Sequence, residues 1–83
     1  MVQLEVLVHG EWQPVIRYDC AHGYAHRDRF NLQGEQLKDE LRMSYAEALT
    51  FGDDDLDDHW ASYREHFLQG GFPWTFSNRR TQS

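Results

Sequence analysis

Between Tyr18 and Arg29 the chain places Tyr18, Asp19, Cys20, His22, His26, Arg27, Asp28 and Arg29 within twelve residues. Two of the five histidines of the protein fall here. Histidine titrates near pH 7 and serves as general acid or base, while arginine matches the geometry of a phosphate. Gly23 suits a tight turn, so a hairpin would set Tyr18 and Asp19 on one arm against His26 and Arg27 on the other, with His22 at the bend. Cross-strand neighbours lie about 5 Å apart, which lets such groups converge without help from distant chain.

Three readings of the segment follow. In the first, His22 and His26 are acid and base, Asp19 orients a histidine, and Arg27 with Arg17 or Arg29 holds a phosphate. That set would cleave RNA without metal, with the ribose 2′-hydroxyl as internal nucleophile. In the second, Asp19, His22 and His26 bind a divalent ion. The His-x-x-x-His spacing marks metal pairs on helices and means less on a hairpin, so no metal or other cofactor is assigned. In the third, the histidines and Asp28 form a hydrogen-bonded network that fixes the turn, and the arginines pair with nearby acids. His26 and Asp28 share a face with Phe30 and Leu32, so their burial demands such partners.

The elements that must position these groups are legible in the periodicity. Val2, Leu4, Val6 and Val8 recur in steps of two, then His9-Gly10-Glu11 turns the chain. Trp12, Ile16, Tyr18 and Cys20 share the next face, with Pro14 marking an edge or a bulge. Tyr24, His26, Asp28, Phe30 and Leu32 give a third strand, closed by Asn31 to Gly34. Leu37, Leu41 and Met43 give a fourth. The period changes at Ser44-Tyr45-Ala46-Glu47, a capping box. Tyr45, Leu49, Leu56, Trp60, Tyr63 and Phe67 then read as one apolar helix face. Gly52 is expected to kink or split the helix, and Gly70-Gly71 to end it. Short connections make the strands an antiparallel meander. The expected fold is α+β, in the order β-β-β-β-α, with one C-terminal helix packed on a four-stranded antiparallel sheet. The domain is expected to span residues 1–71, followed by an aromatic and basic tail over 72–83.

Eighty-three residues leave room for one domain. The net charge is −6, divided as −2 over residues 1–43 and −4 over 44–83, which excludes a general backbone-driven nucleic-acid binder. One cysteine, Cys20, cannot close an internal disulfide and reads as a small buried hydrophobe. No apolar run spans a membrane, and the expected setting is cytoplasmic. The run Asp53-Asp54-Asp55-Leu56-Asp57-Asp58 lacks the ligand order of a calcium loop and reads as a solvated face, or as an interface for a basic partner. His59 and His66 read as boundary histidines. Phe72, Trp74 and Phe76 read as an edge strand or a fold-back on the helix, with a dimerisation or docking segment as the alternative.

The string Tyr18-Asp19-Cys20-Ala21-His22-Gly23-Tyr24-Ala25-His26-Arg27 resembles a Tyr-Asp-x-Ala-His-Gly-x-x-His-Arg signature of small prokaryotic proteins. It is also similar to the Asp-x-Ala-His-Gly…His-x-His segment of TumE-like proteins, toxin halves of toxin–antitoxin pairs. This chain has Asp28 where the TumE-like pattern often repeats histidine. The resemblance implies a ribonuclease-type toxin, with Asp19, His22, His26 and Arg27 carried over as its site. Implied partners are RNA and a cognate toxin or antitoxin protein, and a homodimer is a further expectation. The alternative is a non-catalytic interaction module, an antitoxin or regulatory subunit, that binds a basic partner through its acidic helix.

Overall fold

The computed structural model describes residues 1–21 and 23–73. Four strands, β1 (Val2–Val8), β2 (Glu11–Ala21), β3 (Tyr24–Phe30) and β4 (Gln36–Leu41), precede one helix, α1 (Tyr45–Leu68). The strands pair antiparallel in the order β1-β2-β3-β4, so the sheet is a meander and the fold is α+β as the periodicity predicts. At the first hairpin His9 and Gly10 both take positive φ, the backbone that a two-residue turn between twisted strands requires. Asn31 ties the turn after β3, its Oδ1 accepting the amides of Gln33 and Glu35.

Pro14 has no amide to give a ladder, and the β1–β2 register shifts beside it. Leu4 faces Ile16 while Glu5 faces Pro14, which leaves Val15 as the extra residue. The alternation therefore slips by one, and Val15 and Ile16 are both buried. Trp12 was expected to share the face of Ile16 and Tyr18. The slip puts it out of step with them, and it stands 65% exposed.

The helix packs chiefly on β2, with β1 and β3 beside it. Ser44 Oγ accepts the Glu47 amide at 3.1 Å and Glu47 Oε1 accepts the Ser44 amide at 2.9 Å, so the capping box forms. Gly52 neither splits the helix nor interrupts it. Its missing side chain has a different use. A Cβ there would lie 2.6 Å from the Tyr18 ring, so the glycine is what lets strand and helix approach. The buried stripe is Ala48, Gly52, Asp55, Tyr63 and Phe67, and it is rotated from the expected one. Tyr45 and Trp60, expected inside, are exposed. The core joins Val6, Val15, Ile16 and Tyr18 of the sheet to Tyr63 and Phe67 of the helix. Each aliphatic or phenylalanine side chain of this core contributes about 1.5–3 kcal/mol by leaving water.

Candidate functional site

Pleating decides which of the motif residues can meet, because successive side chains in a strand point to opposite faces. Tyr18 stands opposite Arg27 and Arg27 opposite Asp39, which puts these three on one face. That face looks at α1, since Tyr18 packs on Gly52 and bonds Asp55. Asp19 stands opposite His26 and His26 opposite Glu40, while Arg17 faces Asp28 and Asp28 faces Lys38. These six occupy the other face. The expected convergence of His26 with Arg27 therefore does not occur: the two are adjacent in sequence and separated by the thickness of the sheet. His22 lies outside the described residues.

On the helix side, Arg27 is 2% exposed, and its Nε donates to Asp39 Oδ2 at 3.0 Å. Burial works to lower its pKa, but the adjacent Tyr18 and Asp39 outweigh burial and raise it above the ordinary value. Arg29 grips the same carboxylate with two nitrogens, at 2.8 and 3.1 Å, and gives a third donor to the Pro73 carbonyl at 3.3 Å. Pro73 is itself fully buried. One aspartate of β4 thus locks two arginines of β3 and ties residue 73 to the sheet.

The network continues into the helix. Asp55 accepts the Tyr18 hydroxyl, the Tyr63 hydroxyl at 2.7 and 2.8 Å, and the Nδ1 proton of His59 at 3.0 Å. Both atoms near Nδ1, the Asp55 carboxylate and the Asp55 carbonyl at 3.2 Å, are acceptors, which assigns the proton to that nitrogen. Burial first, then the hydrogen bond and negative charge of Asp55, push the Tyr18 pKa well above the usual phenol range. Asp55 was expected on a solvated face with its neighbours. It is instead the buried acceptor that joins helix to sheet, while Asp53, Asp54, Asp57 and Asp58 are exposed as expected.

On the opposite face, Asp28 is 1% exposed. Its Oδ2 accepts Arg17 Nε at 3.3 Å and Nη2 at 3.1 Å, with His26 Nε2 at 3.5 Å. Its Oδ1 has no hydrogen-bond partner among the described residues. The Arg17 guanidinium also lies 5.3 Å from the centre of the Phe30 ring. His26 is 9% exposed, between Asp19 and Glu40 of the flanking strands. Asp19 Oδ1 accepts the Cys20 amide at 2.8 Å. Of the six candidate residues, Asp19, His26 and Arg17 thus share one face, Arg27 and Arg29 share the other, and each of the three arginines already holds an aspartate.

A model of a protein family matches residues 1–73 of this arrangement, from the first strand to the buried Pro73. The chain belongs to DUF7718, a domain of unknown function. No curated protein and no solved structure matches the chain. The DUF7718 match takes in the whole sheet, the helix and the Arg29–Pro73 tie. Among the described residues no three histidine, cysteine, aspartate or glutamate side chains cluster as metal ligands, and no helix is long and apolar enough to cross a membrane.

Residue reading missed Asp39, Asp55 and Tyr63 as members of the polar network. The signal for Asp55 was present: Ala48, Gly52, Asp55, Tyr63 and Phe67 recur in steps of three, four or eight, so one helical stripe contains the aspartate. The signal for Asp39 is cross-strand register, which appears only once β4 is placed beside Arg27.

Proposed function

We propose that this chain is a non-catalytic interaction module, of antitoxin or regulatory-subunit type, that binds a basic protein partner through the outer face of α1. The observation that carries the reading is the row of exposed aspartates on that helix, Asp53, Asp54, Asp57 and Asp58. They form two i, i+4 pairs of like charge, an arrangement that destabilises an isolated helix and that a cationic partner relieves. The same row repels a polyanion such as RNA. In the toxin–antitoxin setting that the motif resembles, the partner of such a module is a basic toxin.

The ribonuclease reading asks for a histidine that reaches a phosphodiester beside an arginine free to receive it. Here His26 is almost fully covered, Arg27 lies behind the sheet, and Arg17 and Arg29 are engaged by Asp28 and Asp39. These contacts favour the interaction module over the nuclease.

Two assays on one preparation test this. Purified protein and a His26→Ala variant are incubated with mixed cellular RNA, with and without EDTA. Tagged wild type, His26→Ala and D53N/D54N/D57N/D58N are used for cross-linked capture in the producing cells. Intact RNA, and a basic protein captured by the first two chains but not the third, is the expected result. RNA cleaved by wild type and spared by His26→Ala overturns the reading in favour of the nuclease.

A further inference from the structure

The acidic row has an apolar neighbour. Leu4, Glu5, Val6 and Leu7 of β1, Trp12 of β2, and Trp60 and Arg64 of α1 line an open groove of about 270 Å³. That exceeds the roughly 150 Å³ of an apolar cavity that takes up benzene, which is room for one large side chain. Trp12 is 65% exposed, Trp60 50%, and Leu7 is also exposed. The groove opens at the β1 edge of the sheet, where Leu4 and Val6 belong to the face that meets α1 and Leu7 pairs with Trp12 on the other face, so exposed apolar residues of both faces border it. Such grouping on a small domain marks an interaction surface, since scattered single apolar residues are the norm.

Position on the helix says what occupies the groove. Trp60 follows Asp57 by three residues and Asp53 by seven, and precedes Arg64 by four, so these four lie along one helical stripe. Within the groove the charges of Glu5 and Arg64 oppose one another. The turns next to it carry the four exposed aspartates. An occupant is therefore held by apolar contact at its centre and by positive charge at its flank.

We infer that the groove between β1 and α1 is the anchor pocket of the docking surface, and that it takes one aromatic or branched aliphatic side chain from a lysine- and arginine-rich segment of the partner. This rests on the interaction-module reading and adds an anchor to it. The division of labour is the usual one at interfaces: a buried apolar anchor supplies most of the affinity, while rim charge sets approach and salt dependence.

The test uses the full chain and two labelled peptides, both rich in lysine and arginine and identical except for a central phenylalanine or alanine. Binding is followed by fluorescence anisotropy. The phenylalanine peptide is expected to bind about tenfold tighter than its alanine counterpart. Trp60→Ala and Trp12→Ala are each expected to erase that difference while leaving alanine-peptide binding in place, with unchanged circular dichroism. D53N/D54N/D57N/D58N is expected to weaken both peptides and to keep their ratio.

Equal affinity of the two peptides for wild type, or a preference that survives in both tryptophan variants, overturns the anchor pocket and leaves the acidic reading standing. Binding unaffected by the four asparagines overturns the acidic reading instead. Two further outcomes reassign the groove. Dimerisation abolished by Trp60→Ala would give it to a second copy of this chain, and tighter peptide binding by Trp74→Ala/Phe76→Ala would give it to the chain's own tail.

Discussion

Asp55 and Asp54 are neighbours in sequence with opposite fates, and the difference is measurable. Asp55 is the common acceptor of two buried phenols and a histidine, whereas Asp54 is exposed. Asp55→Ala removes the acceptor that the Tyr18 and Tyr63 hydroxyls share, and its expected cost is about 3 kcal/mol. Asp54→Ala is expected within about 0.5 kcal/mol of wild type. Urea unfolding of the two variants separates them, and equal midpoints would contradict the placement of Asp55. Tyr18 supplies a pH dependence of definite sign. Its folded pKa lies above the ordinary value of 10.0, so above pH 10 the unfolded chain loses a proton that the folded chain keeps. The stability contributed by this group is full below pH 10 and declines as pH rises from there toward the folded value. Denaturant midpoints measured across the alkaline range should fall more steeply for wild type than for Tyr18→Phe. Parallel curves would show that Tyr18 titrates normally.

At the level of elements, Gly52 is the position where local preference and packing disagree. Helix propensity alone makes Gly52→Ala stabilising by about 1 kcal/mol. A Cβ there would meet the Tyr18 ring at 2.6 Å, so strand and helix must separate, and overpacking of this kind costs about 1–3 kcal/mol. The expected net effect is destabilisation, read as a lower Tm; a higher Tm would mean that the ring can move aside. The helix start behaves more simply. Ser44→Ala removes a cap worth about 1 kcal/mol. The Glu47 carboxyl is held below its ordinary value of 4.5 by bonds from the Ser44 backbone and side chain. Its contribution is present above that pH and is lost as pH falls through the lower folded value. The wild-type advantage over Glu47→Ala should therefore shrink in acid, as unfolding midpoints at neutral and acid pH would show.

These cases also explain how far the fold was legible. Strand order, the capping box and the meander follow from local periodicity and turn residues, and they stand as expected. What sequence could not rank were faces that carry both small and polar residues. The helix offers one stripe rich in large apolar side chains, through Tyr45, Leu49, Leu56 and Trp60, and another through Ala48, Gly52 and Asp55. Hydrophobicity favours the first. The second wins because small residues admit the Tyr18 ring and Asp55 satisfies two hydroxyls. Trp12 was misplaced for a similar reason, since one bulge at Val15 inverts every residue beyond it. The candidate site was legible as a set of residues but not as a shape. Periodicity already sets His26 and Arg27 on opposite faces of β3, so sequence adjacency brings them no nearer as a pair.

For the whole molecule, the sheet is committed on one side to the helix and to a continuous polar network, Arg29–Asp39–Arg27–Tyr18–Asp55–Tyr63, that joins β4 to α1. Two of the seven arginines, Arg27 and Arg29, are thereby held by Asp39 on the helix-facing side of the sheet, and the outer face of the helix carries the exposed aspartates. This charge is the docking surface proposed above. It is tested most directly by the salt dependence of binding to the captured partner, for wild type and for D53N/D54N/D57N/D58N. From about 0.1 M to about 1 M salt the screening length shrinks from about 10 Å to about 3 Å. Wild-type affinity is expected to fall steeply across this range, and the variant to bind weakly with a nearly flat dependence. Matching affinities and matching slopes for the two chains would contradict it.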